Sequence, residues 1–265
     1  MHSKRTMIVA NWKMNMTVGE SSHLSANMHK HISGHRDIEV VLAPSFLSLQ
    51  PLSLEIDRRR FRLASQNGHE IDEGGYTGEV SFAMMRDLVH YAIIGHSSRR
   101  IYSSETNKQI RDKVAACIRN GISPILCVGE TATEKAEGHT RQVVHDQLTV
   151  ALSNVTPGDL HKVIIAYEPV WAISTFGGKT SNPEDMKKMF DYIKSQLADL
   201  YGERATSGVR LLYGGSADNA NAGGYLALDG CDGLLVGSAS LNYHKFAGIV
   251  DVAYKINRSR SQQGS

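Results

Sequence analysis

Eight short runs of β-branched and apolar residues recur along the chain, at 7–11, 39–43, 61–66, 91–95, 122–128, 163–167, 209–213 and 233–236. Longer stretches separate them, and three of these (107–120, 140–153 and 183–200) carry helical apolar periodicity. Gly121 suits the stop of the first, and Asn182-Pro183 gives the last a polar cap and an early proline. Strand–helix alternation restricts an α/β chain to a parallel sheet, either doubly wound or closed. A doubly wound sheet usually carries a glycine-rich fingerprint after its first strand, and here that turn reads Asn11-Trp12-Lys13-Met14-Asn15. Eight evenly spaced repeats instead predict a single-domain (β/α)8 barrel, a closed eight-stranded parallel sheet, over residues 1–257. The polar stretch 258–265 is expected to be a disordered tail.

Bulk properties exclude several classes of function. The 265 residues suit one such barrel, and 41% hydrophobic with 21% charged residues is ordinary for a chain with a sizeable core. Twenty-nine basic and 27 acidic residues leave a formal charge of only +2, so no electrostatic case exists for nucleic acid as a partner. Cys117, Cys127 and Cys231 lie in apolar stretches without metal-like spacing and read as buried thiols in a reducing compartment. No run approaches the ~20 apolar residues of a membrane span, and the first apolar run is too short for a signal peptide. The expectation is a cytoplasmic protein with no membrane partner. His29 and His31 are too close in sequence to share a helix face, so no metal site is expected from them.

The chemistry-bearing residues fall at one kind of place. Asn11 and Lys13 follow the first strand, Gln66 and Asn67 the third, Gly95-His96-Ser97 the fourth, and Cys127-Val128-Gly129-Glu130 the fifth. Glu168 follows the sixth, Gly214-Gly215-Ser216 the seventh and Gly237-Ser238 the eighth. In a closed barrel these ends meet on one face, where such enzymes keep their chemistry. Glu168 directly terminates an apolar strand and Pro169 stops that strand at once; a carboxylate so placed is a candidate general base or, taken alone, a structural cap. His96 follows Gly95, where the backbone can bend, and is a candidate electrophile. The turns at Gly215-Ser216 and Gly237-Ser238 let backbone N–H groups approach an anion, with phosphate the usual occupant; Gly177 and Gly178 would add a third donor set. Base, electrophile, cation and anion cradle together suit proton abstraction beside a carbonyl, with the enolate stabilised by His96 and Lys13. No metal ligand cluster or cofactor motif is apparent, so none is expected.

At these residues the chain resembles the triosephosphate isomerase family over nearly its whole length, and with it the TIM barrel fold. The resemblance is carried by Asn11-Trp12-Lys13-Met14-Asn15, Gln66-Asn67, Tyr76-Thr77-Gly78-Glu79, Ile94-Gly95-His96-Ser97, Cys127-Val128-Gly129-Glu130, the segment 166–173, Tyr213-Gly214-Gly215-Ser216 and the segment 232–241. It implies a cytoplasmic step of glycolysis and gluconeogenesis, the interconversion of dihydroxyacetone phosphate and D-glyceraldehyde 3-phosphate. Glu168 would be the base and His96 the neutral electrophile, a pairing for which this family is the established example. Lys13 and Asn11 would hold and polarise the sugar phosphate, and Ser216, Gly215, Gly237 and Ser238 its phosphate. Pro169, Val170, Trp171, Ala172, Ile173, Ser174, Thr175 and Phe176 would form a lid. Thr77 and Glu79 would lie on an arm reaching into a second copy, making a homodimer.

The chain departs from the family pattern at three places. Ser98 stands where the family has a glutamate near the catalytic lysine; this should weaken catalysis, and Ser98→Glu should raise turnover. The lid, Ser174-Thr175-Phe176-Gly177-Gly178-Lys179, is longer by about two residues than the usual one. Asp191 stands where an arginine is expected. The altered lid keeps a second reading open, an isomerase of a four-carbon ketose phosphate. A third is a weakly catalytic barrel serving as a binding or scaffold protein.

Overall fold

A computed structural model describes residues 5–178 and 180–263. Eight strands, β1 (Thr6–Asn11), β2 (Ile38–Ala43), β3 (Phe61–Ser65), β4 (Tyr91–Ile94), β5 (Ser123–Val128), β6 (Ile164–Tyr167), β7 (Arg210–Tyr213) and β8 (Gly233–Val236), pair in parallel and in sequence order. The ring closes where Met7 pairs with Gly233 and Ala10 with Val236. All eight runs expected as strands are strands, each within a residue of its expected end. The helices Asn107–Arg119, Thr140–Leu152 and Pro183–Tyr201 stand where their periodicity put them. Gly121, with φ of +72°, ends the first in the left-handed conformation that glycine adopts without strain. Asn182 caps the last, its side chain accepting from the Glu184 N–H at 3.0 Å.

The period of two along each strand divides the apolar residues into two cores. Met7, Val9, Val41, Ile93, Ile125 and Leu212 belong to the cluster that fills the barrel. Ile8, Ala10, Val40, Leu42 and Ile94 belong to the larger layer under the helices. The three cysteines are buried and unpaired. No helix among the described residues is long and apolar enough to cross a membrane.

The N-terminal mouth of the barrel is plugged by polar side chains on the inward register. Arg210 donates to Glu39 at 2.6 Å and to the Tyr91 hydroxyl at 3.2 Å, and that hydroxyl donates to Glu39 at 2.8 Å. Burial pushes the Glu39 carboxyl up, but the bonds and charge of Arg210, with the Tyr91 bond, leave it below the usual glutamate value. A lowered folded-state value means that protonation favours the unfolded chain. The contribution is complete above the ordinary glutamate range and is lost as pH falls through the lowered value. Arg210→Met should destabilise by about 3–5 kcal/mol near neutrality, because it leaves a buried carboxylate unpaired. Urea midpoints measured from neutral to acid pH check this: the gap between variant and parent should narrow as the carboxylate is protonated.

One expectation fails. Residues 258–263 continue the last helix, Tyr243–Gln263, instead of forming a disordered tail. The cause is an anchor that composition hides. The Arg260 guanidinium donates to the carbonyls of Leu226 (2.9 Å) and Leu228 (3.3 Å), tying a polar turn to the body. Residues 264 and 265 lie outside the described residues.

Candidate active site

β1 delivers Asn11 at its last residue, and the chain then turns sharply. Lys13 has φ of +52°, a left-handed conformation that costs a lysine energy. Two side chains hold it there. Asn11 Oδ1 accepts the Lys13 N–H at 3.1 Å, and Gln66, after β3, donates Nε2 to the Lys13 carbonyl at 2.8 Å and to the Ala43 carbonyl at 2.9 Å. Burial lowers the Lys13 ammonium pKa, and the Glu168 charge opposes the shift. Nζ lies 3.3 Å from the Thr175 hydroxyl of the expected lid.

β4 is followed by Gly95, whose φ of +69° supplies the bend expected there. His96 follows as the cap of the helix Ser97–Tyr102, and its Nδ1 accepts the Ser98 N–H at 3.2 Å. A nitrogen that accepts has no proton in the neutral ring, so the proton sits on Nε2. Burial lowers the His96 pKa, opposed by the Glu168 charge and reinforced by the Lys13 charge, so the ring is neutral near pH 7. Nε2 lies 3.1 Å from Glu168 Oε1.

Glu168 follows β6 and is held by backbone. Its N–H donates to the Val128 carbonyl at 2.7 Å, and its Oε2 accepts the Ser97 N–H at 2.9 Å. Oε1 is buried yet makes no hydrogen bond, since the His96 contact is close but not aligned for one. A desolvated carboxylate oxygen with an unused lone pair is suited to accept a proton.

These groups line one cavity of about 240 Å³ at the C-terminal mouth, together with Gly215, Ser216, Gly237 and Ser238. The sequence-predicted Asn11, Lys13, His96 and Glu168 thus meet, and both glycine–serine turns meet them. Ile173, Ser174 and Thr175 of the expected lid also reach the cavity. Gly177 and Gly178 do not line it, and the Gly178 N–H is used by the Ile173 carbonyl at 3.1 Å. In this arrangement the tip folds back on itself, and the Gly177–Gly178 turn stands outside the cavity lining. Among the described residues no cluster of histidine, cysteine or carboxylate side chains is placed to hold a metal ion.

The base of the expected lid is fixed by a residue to which no role had been given. Glu130 accepts from Tyr167 at 2.9 Å and from Trp171 Nε1 at 2.8 Å, and its carbonyl accepts the Val170 N–H. Lys135 Nζ lies 3.3 Å above the Trp171 ring. Val170–Ala172 forms a short 3-10 turn. From there Ala172 and Ser174 meet Ser216, through its N–H at 3.0 Å and its hydroxyl at 2.8 Å. Phe176 stacks on Tyr102 with centroids 5.7 Å apart. Thr77 and Glu79 are exposed, away from the cavity lining. Asp191 pairs with Lys187 at 2.8 Å one helical turn away. Ser98, expected to matter through Lys13, has its hydroxyl 2.7 Å from His96 Nδ1 instead, so replacing it disturbs the imidazole.

A closed (β/α)8 barrel with one mouth plugged and its polar groups collected at the other is the architecture of the barrel enzymes. The family model for triosephosphate isomerase matches residues 6–253. The chain belongs to the triosephosphate isomerase family. It is 39% identical over 249 residues to the triosephosphate isomerase of Caldanaerobacter subterraneus, covering 94% of this chain and 99% of that one. It is 40% identical over 248 residues to that of Chlorobaculum tepidum, covering 93% and 100%. For the Dehalococcoides mccartyi enzyme the figures are 38% over 246 residues, covering 93% and 95%.

Proposed function

We propose that the chain interconverts dihydroxyacetone phosphate and D-glyceraldehyde 3-phosphate by moving one proton between adjacent carbons through an enediolate. The observation that carries this reading is the unbonded, buried Glu168 Oε1 beside a neutral imidazole in a cavity that also holds Lys13. Glu168 takes the proton from one carbon and returns it to the other. His96, donating from Nε2, stabilises charge on the two substrate oxygens, and Lys13 supplies the fixed positive charge. Gly215, Ser216, Gly237 and Ser238 cradle the phosphate with N–H and hydroxyl donors. The lid from Pro169 to Phe176 excludes water while the enediolate exists. The purified protein should isomerise three-carbon sugar phosphates faster than four-carbon ones. A negligible three-carbon rate would remove this assignment, and a higher four-carbon rate would install the second reading.

The active form is a homodimer in the cytoplasm. Several exposed large apolar side chains lie in the first four strand-to-helix connections or the short helical turns that follow them, which adjoin around the ring: Met14 at 96% exposure, Leu47 at 79%, and Tyr76, Met84 and Tyr102; Leu54 and Leu200 are exposed elsewhere, near the ends of their helices. A patch of this kind marks an interface. Thr77 and Glu79 lie on the arm that a second copy would receive, with Thr77 approaching the other copy's Asn11 and Lys13. Sedimentation should give twice the chain mass. Met14→Glu should shift the protein to the monomer and cost activity; a parent sedimenting as a monomer would contradict the dimer.

A further inference from the structure

We propose that Ser98 is a positioning residue whose hydroxyl donates to His96 Nδ1 and, beside the backbone donor, resists a proton on that nitrogen, so that the ring stays neutral with Nε2–H facing the substrate. Two groups contact one nitrogen: the Ser98 backbone N–H at 3.2 Å and the Ser98 Oγ at 2.7 Å. The backbone group can only donate, so Nδ1 must accept. A hydroxyl can donate or accept, and against an accepting nitrogen it donates. The shorter contact is therefore an O–H···N bond. It adds to the backbone bond and opposes any proton on Nδ1, whether from the other tautomer or from imidazolium. The charged groups facing the ring are Glu168, which favours imidazolium, and Lys13, which disfavours it. With Glu168 Oε1 only 3.1 Å from Nε2, a donor on the far nitrogen counters the pull of the carboxylate. A glutamate at position 98, the residue the family pattern places there, has no proton to donate when ionised.

The catalytic part of this inference rests on the isomerase reading, whereas the tautomer does not. Nitrogen-15 spectra of the labelled full-length protein should show His96 protonated at Nε2 and accepting at Nδ1. Ser98→Ala keeps the backbone donor, so the proton should stay on Nε2 while the Nδ1 resonance moves to that of a less strongly hydrogen-bonded acceptor. The substitution should also move the acid limb of kcat/KM upward by about half to one pH unit, the worth of one neutral hydrogen bond. Ser98→Thr, which keeps a hydroxyl, should restore both. Ser98→Cys fills the space with a weak donor and should resemble the alanine variant, a comparison that stands even if alanine does not fold. A parent protonated at Nδ1 overturns the proposal, as does an alanine or cysteine variant with parental spectra, or a threonine variant that fails to restore them. A parent with proper spectra and no triose phosphate turnover would remove the isomerase reading alone.

Discussion

Glu168→Gln should lower kcat roughly 10²- to 10⁴-fold, the span associated with one positioned general base. The substitution keeps size and shape and removes the ability to take up a proton. The amide can orient its oxygen toward the Ser97 N–H, which holds Oε2 at 2.9 Å in the parent. Its nitrogen then faces His96 Nε2, which already carries a proton, so two donors meet where a carboxylate stood 3.1 Å away. The clash should displace the imidazole slightly, and KM should change less than kcat because the glycine–serine turns are untouched. Steady-state kinetics on both triose phosphates, with circular dichroism as the check on folding, provide the measurement. A variant with parental kcat would exclude Glu168 as the base.

Gly129→Ala should cost stability and activity together, by roughly 3 kcal/mol or more for the fold. A methyl group on Gly129 would sit 1.8 Å from the Glu168 carbonyl oxygen and 2.6 Å from its carbonyl carbon. Both are backbone atoms of the neighbouring chain segment, so no side-chain rotation relieves the overlap. Glu168 N–H is bonded to the Val128 carbonyl, and Gly129 exchanges bonds with Gln147 at 2.8 and 3.1 Å. Relief therefore requires β5 and β6 to part at the point where Glu168 is mounted. Denaturant unfolding should show the loss of stability. The turnover of whatever remains folded should fall more than tenfold, because small displacements of a reacting group are expensive. Gly178→Ala makes a useful contrast: the nearest atom to its methyl would be 3.5 Å away, with strain arising only from φ of +63°.

How legible the site was in the sequence depended on whether a residue's neighbours are set by topology or by rotamer. Asn11, His96, Glu168 and the two glycine–serine turns were readable because a closed parallel ring forces all strand ends to one mouth. Gln66 was noticed as part of a motif, but its clamp on the Lys13 carbonyl depends on a left-handed turn that no periodicity announces. The role of Glu130 required the β5–β6 register, in which Val128 stands opposite Tyr167 and sets the carboxylate below Trp171. The Ser98 contact is fixed by a local capping geometry two residues long. Gly177 and Gly178 are harder to read, because glycine marks both anion-binding turns and turns that close on themselves. The end of the chain misled because one arginine anchored what composition read as solvent-loving.

The Glu39–Arg210 pair joins residues 171 positions apart, with Tyr91 between them in sequence. No fragment ending before β7 contains both charges. A half-barrel, or a chain still emerging from synthesis, must hold Glu39 hydrated or neutral, and cannot sink it into an apolar interior. The ion pair thus acts as a closure test: intermediates with an open ring are penalised, and the last strands to arrive complete the circuit. Circular permutants opened on the connection between β7 and β8 retain the pair within one continuous segment. Splitting the chain between β4 and β5 separates its members, so those halves should fold only on mixing.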